Sequence, residues 1–246
     1  MGNFPKVGDT VTELEFWKGM DVLLAKYDLL RHPYYEAWRD GALSLRDLRE
    51  YACEYYCHVA SFPVYLREFA ARLSDGALRQ SVLQNLWDEL GINSGDDLAH
   101  SLIWLKFAVG TGALPNDVYS RKPIQEMAAL VETYLKMATT GTPAEALAAF
   151  YVYESQVPRI SFEKADSLSK IYGLDEVTCR YFTLHTSADV AHSAIWREQL
   201  SNILNAEPKA ARHALTAAER AAKALWRVLD GINSKRDLRK PASSTN

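Results

Sequence analysis

Apolar residues recur at spacings of three and four along nearly every long segment of this 246-residue chain. No segment alternates apolar and polar residues between turn signals, as a half-buried strand would. The pattern therefore predicts an all-α protein. The predicted helices lie near 10–30, 33–40, 44–74, 76–90, 96–109, 123–138, 143–172, 175–204 and 208–230.

Local signals mark the starts and ends of several predicted helices. Thr10 with Glu13 and Ser44 with Asp47 match the spacing of capping boxes. Thr142 stands before a proline, which favours the first turn of a helix. Glycines follow several of the periodic runs, where helices commonly end. These signals support the helix boundaries that the apolar pattern predicts.

Connections between the predicted helices are short, and two prolines interrupt long helical patterns. Pro63 and Pro158 should kink their helices or unwind a turn, and Pro158 cannot donate to the carbonyl of Glu154. Because short connections join antiparallel neighbours, we expect one helical bundle domain over 1–232. The polar remainder, 233–246, is expected to be a disordered tail.

Composition narrows the class of function. Hydrophobic residues make up 48% of the chain, charged residues 24%, and the formal net charge is −3. Because no basic stripe interleaves with aromatic residues, neither nucleic acid nor a membrane is an expected partner. We expect a cytoplasmic protein, since the sequence contains neither a membrane span nor the apolar core of a signal peptide. Three cysteines are expected to be reduced, namely Cys53, Cys57 and Cys179.

The stretch HTSADVAH places two imidazoles and a carboxylate in an otherwise apolar run. On one continuous helix, His185, Asp189 and His192 would share a stripe within roughly 60° of one another. That stripe coincides with the apolar face of Trp196, so it should point toward the core, where polar groups need partners. Either a satisfied polar cluster or a metal site would meet this need.

Three further polar residues occupy unusual places in other predicted helices. Glu154 follows Phe150 by four residues on an apolar face, and His100 opens a strongly apolar helix. Glu89 stands at the C-terminal end of its helix, where a carboxylate opposes the helix dipole. Together with the triplet they supply three carboxylates and three imidazoles, a ligand set that suits two iron or manganese ions. Buried salt bridges are the alternative interpretation.

Several segments of the chain carry a family resemblance. They are HPYYEAWRDGALSLRDLREYACEYYCHVASFPVYL, NLWDEL, HSLIWLKFAVGTG, ALAAFYVYESQVPRISFEK and HTSADVAH. In this order they resemble the bacterial relatives of the Chlamydia protein associating with death domains, from about residue 14 to about residue 230. The resemblance implies a heme-oxygenase-like seven-helix bundle, similar to TenA and PqqC, and a dimetal centre.

The resemblance also implies which residues act. It makes Tyr35 the tyrosine that the protein sacrifices and Lys164 the amino donor. The separation of Glu89 from His100 is longer than the family commonly has, so Asp96 or Asp97 is an alternative to His100 as a ligand. The implied metal ligands are Glu89, His100, Glu154, His185, Asp189 and His192.

The function that the resemblance implies is synthesis of 4-aminobenzoate, a folate precursor, from the protein's own tyrosine in a single turnover. The implied cofactors are two metal ions, either two irons or one manganese and one iron, with dioxygen and an external reductant. An electron donor is therefore an expected partner, and a homodimer is the expected assembly. Two alternatives stay open: a dimetal oxygenase acting on an external small amine, acid or aromatic compound, and a metal-free interaction protein.

Overall fold

The computed structural model describes residues 11–92 and 98–239, and within these ranges every regular element is helical. The all-α prediction is confirmed. None of the helices in this part of the chain is long and apolar enough to cross a membrane. The α-helices are α1 Glu13–Lys26, α2 Pro33–Arg39, α3 Leu45–Ala71, α4 Ala77–Glu89, α5 His100–Gly110, α6 Pro115–Tyr119, α7 Gln125–Thr140, α8 Pro143–Glu154, α9 Val157–Lys170, α10 Glu176–His185, α11 Ala188–Ala206 and α12 Ala211–Asp237, with 3-10 turns at Leu29–Arg31 and Pro208–Ala210.

Capping boxes begin three of these helices. Thr12 and Glu15 form the capping box of α1, and Thr12 Oγ1 accepts a hydrogen bond from the Glu15 amide at 3.2 Å. The predicted box began instead at Thr10, which lies outside the described residues. The same T-x-x-E spacing occurs twice here, and the structure uses the second occurrence. The caps predicted at Ser44 and Thr142 are confirmed.

The two prolines have different effects on their helices. Pro63 lies inside α3, which continues past it as one helix. At Pro158 the predicted long helix is split, because α8 ends at Glu154 and α9 begins at Val157. Pro158 has no N–H to donate to the Glu154 carbonyl, so the predicted loss of a helical turn is found here.

A second break, between α10 and α11, is not predicted by the sequence. The Thr186 hydroxyl donates to the Phe182 carbonyl at 3.0 Å, and the Ser187 hydroxyl lies 3.4 Å from the Leu184 carbonyl. Such hydroxyls compete with backbone amides for the carbonyls of a helix. The helix predicted over 175–204 is therefore two helices, with the break directly after α10.

The C-terminal helix is longer than predicted. α12 continues through 233–237, which the sequence assigned to a disordered tail. Arg236 and Arg239 reach Asp47 at 3.7 and 2.9 Å, so the last helical turns are tied to the start of α3. These ion pairs link residues that are far apart in the chain, so no local sequence pattern predicts them. Residues 240–246 lie outside the described part of the chain.

Helix α8 lies at the centre of the bundle. Every residue from Ala146 to Val152 is buried, and α8 packs against α7, α11 and α12. A helix that is apolar on all sides is stable only when neighbours cover all of them. Its last residue, Glu154, is fully buried, so the fold carries a carboxylate into the interior.

Candidate active site

Six buried polar side chains, those that the sequence singles out, form two groups in the interior of the bundle. In each group the possible ligand atoms of three residues lie within 4.8 Å of one another. Four of the six residues are the first or last residue of a helix, so the groups lie where α4, α5, α8 and α10 begin or end. The first group is Glu89, His100 and His185, and the second group is Glu154, Asp189 and His192.

In the first group three side chains converge. His100 Nδ1 lies 3.0 Å from Glu89 Oε1 and 3.1 Å from His185 Nε2. His185 Nδ1 lies 2.7 Å from the carbonyl oxygen of Tyr181. Because that oxygen can only accept, we assign the hydrogen of the neutral His185 ring to Nδ1, which leaves a lone pair on Nε2. A cation here would meet one carboxylate oxygen and two imidazole nitrogens.

The second group contains buried polar atoms without a hydrogen-bond partner in the described structure. These atoms are Asp189 Oδ2 and His192 Nδ1. His192 Nδ1 lies 3.9 Å from Asp189 Oδ1, which is too far for a hydrogen bond. Buried polar atoms that lack partners are costly, and a metal ion bound by both residues would satisfy them. The second group therefore fits a cation.

Neighbouring side chains orient the second group. Glu154 accepts hydrogen bonds from Asn85 Nδ2 at 3.0 Å and from the Trp196 indole N–H. His192 Nε2 lies 3.2 Å from Asp88 Oδ2. Asn85, Asp88 and Trp196 were not predicted from the sequence to act at this site. Asn85 and Trp196 each stand one helical turn from a candidate ligand, and this spacing is the signal that could have found them.

Burial and opposite charges both act on these side chains. Burial raises the pKa of Glu154 to about 8. Burial lowers the pKa of His192, but the carboxylates of Asp189, Glu154 and Glu89 outweigh burial and raise this pKa to about 10. Burial also opposes ionisation of Glu89, whereas the nearby imidazoles hold its pKa below the usual range. Metal ligands must be deprotonated, so a bound cation would displace protons from the second group.

The donor set fits iron or manganese better than structural zinc. Each group offers at least one carboxylate oxygen and one imidazole nitrogen, and neither group contains a cysteine. Oxygen and nitrogen donors without thiolate suit iron and manganese, whereas structural zinc sites are usually rich in cysteine. The first group could hold one ion and the second group another.

The three residues of HTSADVAH do not share one helix face. The break after α10 leaves His185 at the end of that helix and puts Asp189 and His192 in the first turns of α11. The predicted single stripe is therefore wrong, because it required one continuous helix. His185 joins the first group, while Asp189 and His192 belong to the second. One short segment thus contributes to both groups.

The structure places His100 in the first group despite its long separation from Glu89. Glu89 ends α4 and His100 begins α5, so the connection between the two helices takes up the additional residues. The alternative ligands, Asp96 and Asp97, lie outside the described residues.

Tyr35 and Lys164 lie against each other in the interior. Lys164 Nζ is 3.8 Å from the centre of the Tyr35 ring, and each side chain is 4% exposed. A third residue joins them, because Tyr51 Oη lies 2.7 Å from Lys164 Nζ and 2.8 Å from Tyr35 Oη. Tyr51 was not predicted from the sequence, because the apolar pattern does not distinguish it from the other core aromatic residues of α3.

Aromatic rings surround the Lys164 amine. Besides Tyr35, the rings of Tyr51, Trp38 and Phe182 have their centres 4.6, 4.8 and 5.4 Å from Nζ. Burial lowers the pKa of Lys164 well below its usual range. Burial also raises the pKa of Tyr35 and of Tyr51 above the usual range. The site therefore favours a neutral amine beside two protonated phenols.

Little free space lies beside this pair. The cavity that Tyr35 and Lys164 line has a volume of about 10 Å³, which is room for about one water molecule. Arg39 and Glu163 line both this cavity and a surface groove of about 610 Å³. A second aromatic molecule does not fit next to Tyr35 unless side chains move.

A series of aromatic contacts connects the pair with the first group. Ring centres are 6.1 Å apart between Tyr35 and Tyr51, and 5.9 Å apart between Tyr51 and Trp104. Trp104 contacts Tyr181 at 4.7 Å, and Tyr181 stacks on His185 at 4.0 Å. The Tyr35 and Lys164 pair and the first group thus belong to one continuous aromatic interior.

Comparisons with known proteins agree with this architecture. The family model of iron-containing redox enzymes matches residues 49–226. A Chlamydia pneumoniae protein named 4-aminobenzoate synthase is 30% identical over 216 residues, which cover 87% of this chain and 94% of that protein. A Nitrosomonas europaea protein of the same name is 32% identical over 228 residues, which cover 89% of this chain and 91% of that protein.

A structural neighbour supports the same fold. The crystal structure of a TenA homologue from Pseudomonas syringae aligns with a TM-score of 0.77 at 15% identity, covering 95% of this chain and 100% of that one. The predicted heme-oxygenase-like fold is therefore confirmed. The chain belongs to the family of iron-containing redox enzymes, within the heme-oxygenase-like proteins related to the Chlamydia protein associating with death domains.

Proposed function

We propose that this protein is a 4-aminobenzoate synthase that takes the aromatic ring from its own Tyr35 and the amino nitrogen from Lys164. Relatives with that enzyme name align with most of the chain, and the family consists of iron-containing redox enzymes. Two buried groups of carboxylates and imidazoles agree with redox chemistry at two metal ions.

The observation that carries this proposal is the position of the Lys164 amine above the Tyr35 ring. Nζ lies 3.8 Å from the ring centre in a cage of aromatic side chains. A lysine buried among aromatic rings is unfavourable for stability, because burial disfavours its charged form. A desolvated, neutral lysine is instead a good nucleophile. The geometry thus supports a role for Lys164 in amine chemistry at this ring.

The product would be assembled from the two side chains. The groups of ligands would hold two irons, or one manganese and one iron, and the bound metals supply dioxygen activation. Tyr35 would contribute its ring and Cβ: the Cα–Cβ bond breaks and Cβ becomes a carboxylate. The Lys164 nitrogen would replace the ring oxygen, and its bond to Lys164 Cε would then break to free the amino group. These oxidations consume dioxygen and electrons from an external reductant. Because both side chains are consumed, each chain would make one product molecule.

The small cavity favours an internal substrate over an external aromatic one. A volume of about 10 Å³ beside Tyr35 and Lys164 does not hold a separate benzene ring. The ring nearest to the amine is that of Tyr35 itself. This observation favours self-sacrifice over an oxygenase that acts on an added aromatic compound.

The test is a reaction of purified protein loaded with iron, or with iron and manganese, given dioxygen and reductant but no aromatic compound. We expect up to one equivalent of 4-aminobenzoate per chain. Mass spectrometry of the peptides should show loss of the Tyr35 side chain and a change at Lys164. Tyr35→Phe should make no product, whereas Tyr34→Phe, which removes the neighbouring buried hydroxyl, should make as much as the unchanged protein.

Three results would contradict the proposal. Product that forms beside an intact Tyr35 excludes self-sacrifice of this residue. A strict need for an added aromatic compound favours an oxygenase with an external substrate. A folded protein that retains neither iron nor manganese after reconstitution favours a metal-free interaction protein.

A further inference from the structure

The hydroxyl of Tyr51 lies between the two side chains that the proposed function consumes. Tyr51 Oη is 2.7 Å from Lys164 Nζ and 2.8 Å from Tyr35 Oη. We propose that Tyr51 is a catalytic residue, which holds the Lys164 amine over the Tyr35 ring and carries a proton from the amine nitrogen to the Tyr35 oxygen. This inference rests on the proposed function of the Tyr35 and Lys164 pair.

The hydrogen bonds around Tyr51 have a direction that suits this role. The Lys164 amine donates to Tyr51 Oη, so that oxygen acts as an acceptor there. A tyrosine hydroxyl has one hydrogen, and the hydrogen of Tyr51 is then available for Tyr35 Oη. The three side chains thus form a continuous hydrogen-bonded path from nitrogen to oxygen.

Neighbouring rings hold Tyr51 in position. Tyr55 stacks on it with a ring centre 5.2 Å away, and Trp38 meets it edge-on at 5.1 Å. Tyr51 is 1% exposed and lies near the start of α3, on its buried face. A proton carrier must stay within hydrogen-bond reach of both partners, and this packing provides that constraint.

The exchange of ring oxygen for nitrogen needs one such proton transfer. The nitrogen lone pair forms the bond to Tyr35 Cζ, and the electron pair of the C–O bond leaves with the oxygen. The amine releases one proton and the departing hydroxyl gains one, so water leaves and the oxidation level of the ring is unchanged. Tyr51 accepts the first proton and delivers its own, and therefore ends as it began.

Within the described part of the chain, Tyr51 is the hydrogen-bond partner of the Lys164 amine. The amine stands over the Tyr35 ring, so its reach to the phenol oxygen runs through the Tyr51 hydroxyl. A variant that removes this hydroxyl but keeps the Tyr51 ring would distinguish the effect of the proton path from the effect of ring packing.

The first arm of the test measures the Lys164 amine without metal or oxygen. NMR spectra of protein with ¹⁵N-labelled lysine side chains would follow Lys164 through a pH titration, with Lys164→Met providing the assignment. Tyr51→Phe should move both the Lys164 resonance and its titration midpoint. The matched control is Tyr34→Phe, which removes a buried hydroxyl that donates to the Asp47 carbonyl, and it should move neither. An unchanged Lys164 signal in Tyr51→Phe would overturn the inference.

The second arm measures the reaction of the metal-loaded protein. Tyr51→Phe should lower the rate of 4-aminobenzoate formation by about a hundredfold, the usual contribution of a positioned proton carrier. Its metal content should stay normal and its melting temperature should match that of Tyr34→Phe. A Tyr51→Phe protein that forms product at the normal rate would overturn the relay. If the protein without any substitution keeps Tyr35 intact after the reaction, the proposed function itself is overturned. The first arm distinguishes this failure from a failure of the relay, because it measures the Lys164 amine without the reaction.

Discussion

His100 Nδ1 and His185 Nε2 face each other at 3.1 Å, and both imidazoles belong to the group that contains Glu89. Two nitrogen lone pairs at this distance repel, so a proton lies between the rings when no metal is bound. Burial lowers the pKa of His100, but the Glu89 carboxylate outweighs burial and raises it. The proton thus occupies the place that a cation would take between the three side chains.

Removing one imidazole from this group should reduce metal binding. We expect the unchanged protein to bind two ions and His185→Ala to bind about one fewer per chain, as measured by elemental analysis after desalting. Metal at a hundred times its dissociation constant should stabilise the unchanged protein by about 2.7 kcal/mol per site, and His185→Ala should lose one such increment. The control is His213→Ala, on the exposed face of α12. Equal metal content in both variants would exclude His185 as a ligand.

Asn85 should matter for metal affinity although it is not a candidate ligand. Its amide donates to Glu154 Oε1 at 3.0 Å and so orients the carboxylate. We expect Asn85→Ala to weaken metal binding about tenfold to a hundredfold in a chelator competition, because partners of metal ligands fix their geometry. Gln80→Ala, at an exposed position of the same helix, is the control. Unchanged affinity in Asn85→Ala would show that Glu154 needs no such orientation.

Metal binding should release protons from the second group. The pKa of Glu154 is about 8 and that of His192 about 10, so near pH 7 both side chains carry a proton in the metal-free protein. Both must lose it to bind a metal, so affinity should rise with pH from about 6 to about 8. Calorimetry in buffers of different ionisation enthalpy should show at least about two protons released per chain, because filling the first group displaces its proton as well. No dependence of the heat on the buffer would contradict this assignment.

Lys164 should make stability depend on pH in a defined direction. Burial lowers its pKa in the folded protein, so between that lowered pKa and the unfolded value near 10.4 the unfolded chain binds more protons. Lys164 therefore increases the free energy of unfolding by about 1.4 kcal/mol for each unit that the pH rises through this window. The raised pKa of His192 contributes a slope of opposite sign over the same range. Denaturant unfolding of metal-free protein between about pH 8 and about pH 9.5 should therefore show the Lys164 slope as a difference between the unchanged protein and Lys164→Met.

Lys164→Met is the matched variant for this measurement. Methionine fills similar space without an ionisable group, so it should abolish the Lys164 part of the slope and raise stability at the lower end of the window. If the free energy of unfolding changes with pH in the same way in Lys164→Met and in the unchanged protein, the buried amine is not neutral. The same variant should form no 4-aminobenzoate.

The candidate metal ligands could be singled out from their own surroundings in the sequence. Glu154 stands on an apolar helix face, and Glu89 stands at a helix end that disfavours a carboxylate. The structure buries both side chains. Tyr35 and Lys164 left no such signal, since a tyrosine or lysine in a helix is ordinary, and the sequence reached them only through the family resemblance.

The all-α class and the break at Pro158 could be predicted from the sequence alone, because apolar periodicity and a missing N–H act within a few residues along the chain. The sequence alone did not predict the second break, after His185, so the division of the metal ligands into two groups appeared only in the tertiary structure. The contact of Tyr51 with Lys164 joins residues 113 positions apart. Such a contact depends on how α3 and α9 pack in the bundle, and no local sequence pattern specifies that packing.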